Sequence, residues 1–286
     1  MMINIFRLSC FLFISFLFNS CSETEIIVPK AGEIISDRVV LIEDFTGVKC
    51  PNCPNAAREI TSLMGRYPKN VVAVAYHTEF LGSPITEPAE YKSKYDFRTT
   101  DGEALEGQMG FYLGKPAVSL DRKIYNPLED YILTSTAVLG NIENELRSIP
   151  KAKITINNTY DFNTRKLIAN ITIDPVVQTS GEFRIHALVT ESDILDSQED
   201  NIIFVKEYQH NHVFRQMLTE LAGDPIGLTL TPGSQIKRTY EFTLPPENGW
   251  WVAKNCQVVA FISDLSQKTY SVGAIVQAAE HHVIDS

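Results

Sequence analysis

Basic residues are in deficit along this chain. Its 286 residues hold 25 Lys and Arg against 35 Asp and Glu, a formal charge of −10, and no basic block offsets it. A nucleic-acid partner needs a clustered Lys/Arg footprint, so that class is set aside, and the acidity serves mainly solubility. Long apolar runs are scarce too. Past residue 18 no stretch reaches the roughly 20 residues that a membrane-spanning helix requires. Cysteine is sparse, five in all, and a single Cys-x-x-Cys pair, Cys50 and Cys53, has no second half with which to complete a four-ligand zinc site. His210 and His212 could do so in principle, but they read as part of another domain. No metal and no cofactor is expected.

The apolar residues that do cluster lie at the start. Arg7 supplies a positive n-region and residues 10–18 an h-region too short to span a bilayer. The following Phe18-Asn19-Ser20-Cys21 resembles a bacterial lipoprotein signal. Ser20 fits that pattern, whereas Phe18 and Asn19 depart from the usual Leu and Ser or Ala. The resemblance implies removal of residues 1–20, lipidation of Cys21 and attachment to a membrane through that anchor. A polar linker, 21–36, opens with Ser22-Glu23-Thr24-Glu25, and early acidic residues of this kind resemble the export signal that carries some lipoproteins to the cell surface. The expected location is the outer membrane of the cell envelope, with surface display as a further expectation.

From residue 38 the chain alternates strand and helix: a strand to Phe45, a helix over 55–66, a strand over 71–77, a strand over 117–120 and a helix over 128–147. Alternation argues an α/β layer. The run Val71-Val72-Ala73-Val74-Ala75-Tyr76 reads as a strand buried on both faces. Beyond Pro150 the pattern changes to short strands over 152–159, 167–174, 182–190, 235–243, 256–263 and 270–277, separated by turn residues such as Asp161-Phe162-Asn163-Thr164. That pattern predicts an antiparallel β-sandwich, immunoglobulin-like in outline. The expected organisation is therefore α/β plus all-β, with domains at 37–150 and 151–286.

Cys50 and Cys53 fall at the turn between the first strand and the first helix. There the partial positive charge of a helix N-terminus favours thiolate over thiol. The segment from Leu41 to Cys53, LIEDFTGVKCPNC, resembles the active-site strand and turn of thioredoxin. Asp44 falls where that family keeps a buried acid that moves protons for the second cysteine, while Glu43 alternates to the opposite strand face. Pro116, directly before a strand, matches the cis-proline that faces the disulfide in thioredoxin-like folds. The resemblance implies Cys50 as nucleophile and the exposed member of the pair, and Cys53 as resolver, with protein thiols or disulfides as partners. Lys49, Pro51 and Asn52 depart from the thioredoxin pattern, and Lys49 is a candidate to favour the Cys50 thiolate. The competing use of the pair is a structural disulfide, although so short a loop removes little unfolded-state entropy.

In the second half Tyr208-Gln209-His210-Asn211-His212-Val213-Phe214-Arg215 occupies the longest interstrand connection. Val213, Phe214, Met217 and Leu218 are spaced as one face of a short helix whose start the histidines cap or solvate. Cys256 reads as a buried free thiol and Trp250-Trp251 as core. His281 and His282 read as solvated.

In combination, the lipoprotein-like start, the Glu43-Asp44-Phe45-Thr46-Gly47 strand leading into the cysteine pair, the His210-to-Arg215 segment and the closing strand at 272–278 resemble the 28-kilodalton outer-membrane-protein-related lipoproteins. The resemblance implies an envelope lipoprotein with a thioredoxin-like domain and a β-rich C-terminal domain. Two functions follow. One is thiol–disulfide exchange at Cys50 and Cys53. The other is binding or adhesion to an extracellular protein ligand, with the thioredoxin-like fold as scaffold and the pair as a structural disulfide.

Overall fold

Strand β1 (Val40–Thr46) is buried at every position, which suits its β-branched and aromatic residues to a sheet covered on both faces. The computed structural model describes residues 36–285 apart from 111, 126–131, 134 and 270. The signal segment, Cys21 and all but the last residue of the linker lie outside the described residues.

After β1 the chain forms α1 (Cys53–Arg66), β2 (Val71–His77), the distorted turn α2 (Glu79–Gly82), α3 (Thr100–Gln108), β3 (Ala117–Leu120), β4 (Ile132–Leu133) and α4 (Ser135–Leu146). Pro54 stands in the first turn of α1, where its missing N–H is not needed. Cys53, Ala56, Ile60 and Leu63 form the buried stripe of this helix, at the spacing of one face, and α1 packs on β2. The helix stops at Tyr67, whose N–H donates to Leu63 O at 2.8 Å, before Pro68. β1 pairs parallel with β2 and antiparallel with β3. This is a thioredoxin-like arrangement.

The second half is β-rich: β5 (Ala152–Asp161), β6 (Lys166–Pro175), β7 (Thr179–Glu191), β8 (Ile194–Asp200), β9 (Ile203–His210), β10 (Val213–Met217), β11 (Asp224–Leu230), β12 (Ile236–Thr243), β13 (Cys256–Thr269) and β14 (Val272–His282). Strands β12, β6 and β5 form one antiparallel sheet. The inward residues of β6, Leu167, Ala169, Ile171 and Ile173, share a core with Ile185 and Ala187 of β7 and Val258 and Ala260 of β13, the alternation expected of a sheet face laid on another sheet.

The facing sheet departs from an immunoglobulin-like outline. It runs β14-β13-β7-β10-β2-β1-β3-β4, so strands from both sides of residue 150 hydrogen-bond into one sheet, and among the described residues no closed immunoglobulin-like barrel forms. The cause is β10. It pairs antiparallel with β7 and, through Val213 opposite Ala75, parallel with β2, with Ala75 N donating to His212 O at 2.8 Å. An edge that would close a separate sandwich is thus used to join the halves. This also corrects the short helix expected over 213–218. Val213 and Phe214 are enclosed between two buried strands, and Phe214 packs against Tyr76 with ring centroids 4.9 Å apart. Tertiary pairing overrides the helical spacing.

At its other end the long sheet returns to β1. Ala278 N donates to Val39 O at 3.2 Å and Ile275 N to Asp121 O at 2.8 Å. Arg38 pairs with the buried Asp121, whose Oδ1 accepts from Leu41 N at 2.9 Å, and Gln277 Oε1 accepts from Val39 N at 2.9 Å. Trp251 joins the sandwich core and Cys256 is a buried free thiol, as expected. Arg215 lies between the rings of Trp250 and Trp251, 4.0 and 4.4 Å from their centroids, and pairs with Glu191 at 3.3 Å. The conspicuous run ending at Arg215 is, at that residue, structural. Among the described residues no helix is long and apolar enough to cross a membrane.

Candidate functional site: a covered disulfide beside a polar-floored cavity

The turn after β1 is set by a close approach. A Cβ on Gly47 would lie 2.3 Å from Leu81 O, and Lys49 N donates to that same carbonyl at 2.8 Å, so only glycine fits. The turn then closes through Cys50 N to Gly47 O at 3.0 Å and Cys53 N to Cys50 O at 3.2 Å, which starts α1 at Cys53. Cys50 and Cys53 are joined by a disulfide. The Lys49 ammonium, a candidate to favour the Cys50 thiolate, donates instead to Ser83 Oγ at 2.9 Å.

Neither sulfur-bearing residue is exposed. Cys50 is 0% and Cys53 2% exposed, a correction to the expectation that Cys50 faces outward. The covering element is the β8–β9 hairpin, which sequence reasoning passed over as a connection. Glu199 N donates to Val48 O at 2.9 Å and Asn201 N to Pro51 O at 2.8 Å. The buried Gln198 amide donates to Gly47 O and Cys50 O, both at 3.2 Å. Arg58 of α1 pairs with Asp200 of the hairpin at 3.0 Å. The chain thus lays its own extended strand along the cysteine turn. Asp196 anchors the hairpin elsewhere, accepting from Lys94 N and Tyr95 N at 2.9 Å each.

Strand alternation separates the two acids of β1 as expected. Glu43 turns toward the second half and is held by Arg122 through two bonds of 2.7 and 2.8 Å. Asp44 turns to the cysteine side, where burial pushes its carboxyl up to about 7, opposed by the charge of Lys115. Lys115 is itself buried and donates to Thr46 O at 3.0 Å and to Thr78, with Glu106 at 3.3 Å; burial lowers its pKa. The Lys115–Pro116 peptide is cis. Ala117 pairs with Phe45, which places Pro116 beside the end of β1 that leads to the cysteine turn.

Between α1, β2 and the segment from Tyr208 to His212 lies a cavity of about 370 Å³. Asp44, Cys53, His77, His210 and His212 all contribute to its lining. The histidines expected to cap a helix are therefore placed beside the cysteine pair, brought there because β10 docks on β2. Burial keeps all three imidazoles neutral: His77 is pushed well below its usual value, His210 to about 3 and His212 to about 4. His77 packs on Phe97 and on His210 at ring distances of 4.9 and 5.6 Å. Among the described residues no group of three or more His, Cys, Asp or Glu is arranged to hold a metal ion. Tyr208 was named only as the start of the run to Arg215, and His77 and Gln198 were not foreseen. Gln198 had one signal, its place in the same long connection, and His77 had none.

Residues 102–282 match the family described as Outer membrane protein Omp28, a span that contains the hairpin and Pro116 but begins after both cysteines. No curated protein matches the chain. Among solved structures it is similar to HBP35 of Porphyromonas gingivalis, with a TM-score of 0.64 and 17% identity over 87% of this chain and 76% of that one. It is also similar to protein AGR_C_4864 from Agrobacterium tumefaciens, with a TM-score of 0.50 and 13% identity over 87% of this chain and 96% of that one. At these identities the likeness is one of fold.

Proposed function

The chain belongs to the Omp28 family of outer membrane proteins, and on that footing we propose that it is an envelope binding protein, lipid-anchored at Cys21, whose thioredoxin-like half serves as scaffold and whose Cys50–Cys53 disulfide is structural. The observation that carries this reading is the hairpin. Exchange requires a substrate sulfur to reach Cys50 in line with the disulfide, and Cys50 is fully buried beneath Gln198 and Glu199. The family match adds support, because the matched residues, 102–282, contain the hairpin and nearly all of the β-rich half and leave both cysteines outside. An outer-membrane location agrees with the family's description, and display at the surface would present the β-rich half to an extracellular protein ligand.

The test is catalytic. The mature protein and its Cys50→Ser variant are expected to reduce insulin at the same negligible rate under dithiothreitol. Turnover by the wild type that the variant lacks would overturn the scaffold reading. Anchoring is tested separately by labelling with a radioactive fatty acid, which Cys21→Ala should abolish.

One observation favours a second reading, thiol–disulfide exchange gated by the hairpin. Asp44, with its carboxyl near neutrality, lines the cavity together with Cys53, and a buried acid of that kind is matched to proton transfer at pH 7. In this reading the reduced Cys50 thiolate attacks a protein disulfide and Cys53 then displaces the substrate thiolate, leaving the pair oxidised and the substrate reduced by two electrons. Asp44 takes the Cys53 proton, Pro116 lines the approach, and an external dithiol must re-reduce the pair. Loosening the hairpin with Gln198→Ala and Arg58→Ala would then raise turnover, whereas the scaffold reading expects no gain.

A further inference from the structure

The cavity beside the disulfide has a divided lining. Its walls are largely aliphatic, from Pro54, Ala57 and Ile60 of α1 and the alanines of β2. Its polar residues carry unmet hydrogen-bonding capacity: Asp44 Oδ1, His77 Nδ1, His210 Nε2 and His212 Nδ1 are buried atoms with no hydrogen-bond partner among the described residues. Asp44, His77 and His210 are each only 4% exposed, so none can turn to bulk water. An unsatisfied buried polar atom costs about 1–3 kcal/mol, and native proteins keep few of them. Four on one cavity mark a place where something else completes the bonds.

We propose that this cavity binds a small uncharged molecule with an apolar body and one hydroxyl head, of the phenol class. The size fits, since about 370 Å³ lies within the roughly 300–1,000 Å³ of small-molecule sites. The charge state follows from the lining. At pH 6 the imidazoles are neutral, the Asp44 carboxyl, pushed by burial up to about 7, is mostly protonated, and Arg58, the cation on the lining, is engaged by Asp200 at 3.0 Å. A charged ligand would be stripped of water without gaining an ion partner. The head is bounded by donor and acceptor count. A neutral imidazole offers one donor or one acceptor at its free nitrogen, and a hydroxyl can donate once and accept twice. Tyr208 and the two residues after it come from β9, so the hairpin that covers the disulfide also forms part of the wall. The inference rests on the binding-protein reading and names the chemistry of its ligand.

The test uses the mature protein, disulfide intact, labelled with ¹⁵N-histidine and titrated with p-cresol at pH 6. Saturable shifts of the His77 and His210 ring nitrogens are expected. At equal concentration benzoate and benzylamine should give none. Ala57→Phe, which fills the cavity from α1, should weaken p-cresol binding at least tenfold, and the milder Ala57→Leu serves if the larger ring lowers folding. The inference is overturned if p-cresol gives no saturable shift, which would leave water as the occupant. It is equally overturned if the charged probes bind as well, or if a folded, filled variant binds as the wild type does. An unreactive disulfide with no p-cresol binding removes this inference alone, whereas insulin turnover with p-cresol binding intact removes the scaffold reading alone.

Discussion

Glu43 and Asp44 are neighbours on one strand, equally buried, and their surroundings are opposites. Glu43 faces the second half and is gripped by Arg122 through two hydrogen bonds, with Tyr76 adding a third at 3.4 Å. Close by, Arg38, Asp121 and Gln277 tie the start of β1 to β14 in the same manner. On the other face, among the described residues, Asp44 keeps a carboxylate oxygen without a hydrogen-bond partner and each histidine that shares its cavity keeps a ring nitrogen without one. Burial alone therefore does not identify a site. The side on which Glu43 is paired meets the second half, with Arg122 over the Phe261 ring and Gln277 bonded to Arg38 and Val39, and the side on which polar atoms are left open is where chemistry or binding can occur.

That contrast can be broken most severely on its paired side. Glu43→Ala removes the buried carboxylate to which Arg122 donates two hydrogen bonds, and loss of one partner from such a pair costs about 3–5 kcal/mol. Urea unfolding should show a loss of that size, and a loss under ~1 kcal/mol would mean that the pair contributes little to the buried interior of the first half.

The opposite sign is expected next door. The Asp44 carboxyl titrates at about 7 in the folded chain against 3.8 for a free carboxyl, so the native state holds the proton longer than the unfolded one. Its contribution is then full below about pH 4, falls as pH rises to about 7 and stays low above that. Asp44→Asn removes the decline, and at pH 8 it should stabilise by about 2–4 kcal/mol at ~1.36 kcal/mol per pKa unit. The neutral imidazoles slope the other way, since their stability is present above their unfolded pKa of 6.5 and is lost as pH falls toward 4 and 3 for His212 and His210. The difference between Asp44→Asn and wild type across pH isolates Asp44 from them. A flat difference would show that its carboxyl is already answered.

Gly47→Ala comes next. With Leu81 O only 2.3 Å from the added Cβ, backbone must shift, at a cost of about 1–3 kcal/mol for overpacking. The cysteine turn should loosen with it, measured as faster amide exchange at Lys49. The smallest effect belongs to the hairpin's ion pair. Arg58 is about half exposed, and pairs of that kind contribute ~0.2–1 kcal/mol, so Arg58→Ala should barely move the melting temperature.

Much of the frame was readable from residues. The two-sided burial of β1 and β2 follows from their unbroken Val, Ile, Leu and Ala character, and β5, β6 and β12 follow from strict alternation between turn residues. Opposite faces for Glu43 and Asp44 needed only the period of a strand. What escaped was contact between distant segments. Nothing local in Val213-Phe214-Arg215 announces a strand between β2 and β7, and their spacing fits a helix face equally well. The β8–β9 hairpin escaped because its exposed positions dilute its alternation and its partners are the carbonyls of a turn far back in the chain. The cavity escaped for the same reason. His77 and His210 meet only once β10 has docked, so the pair of cysteines looked open when it is covered.

The reduction potential of Cys50–Cys53 in the mature protein tests the covered disulfide most directly. A structural bridge held beneath the hairpin should lie below about −300 mV, in the range of disulfides that resist the glutathione pool. A value between about −120 and −270 mV, where dithiol exchange proteins operate, would contradict the scaffold reading and return the cysteine pair to catalysis.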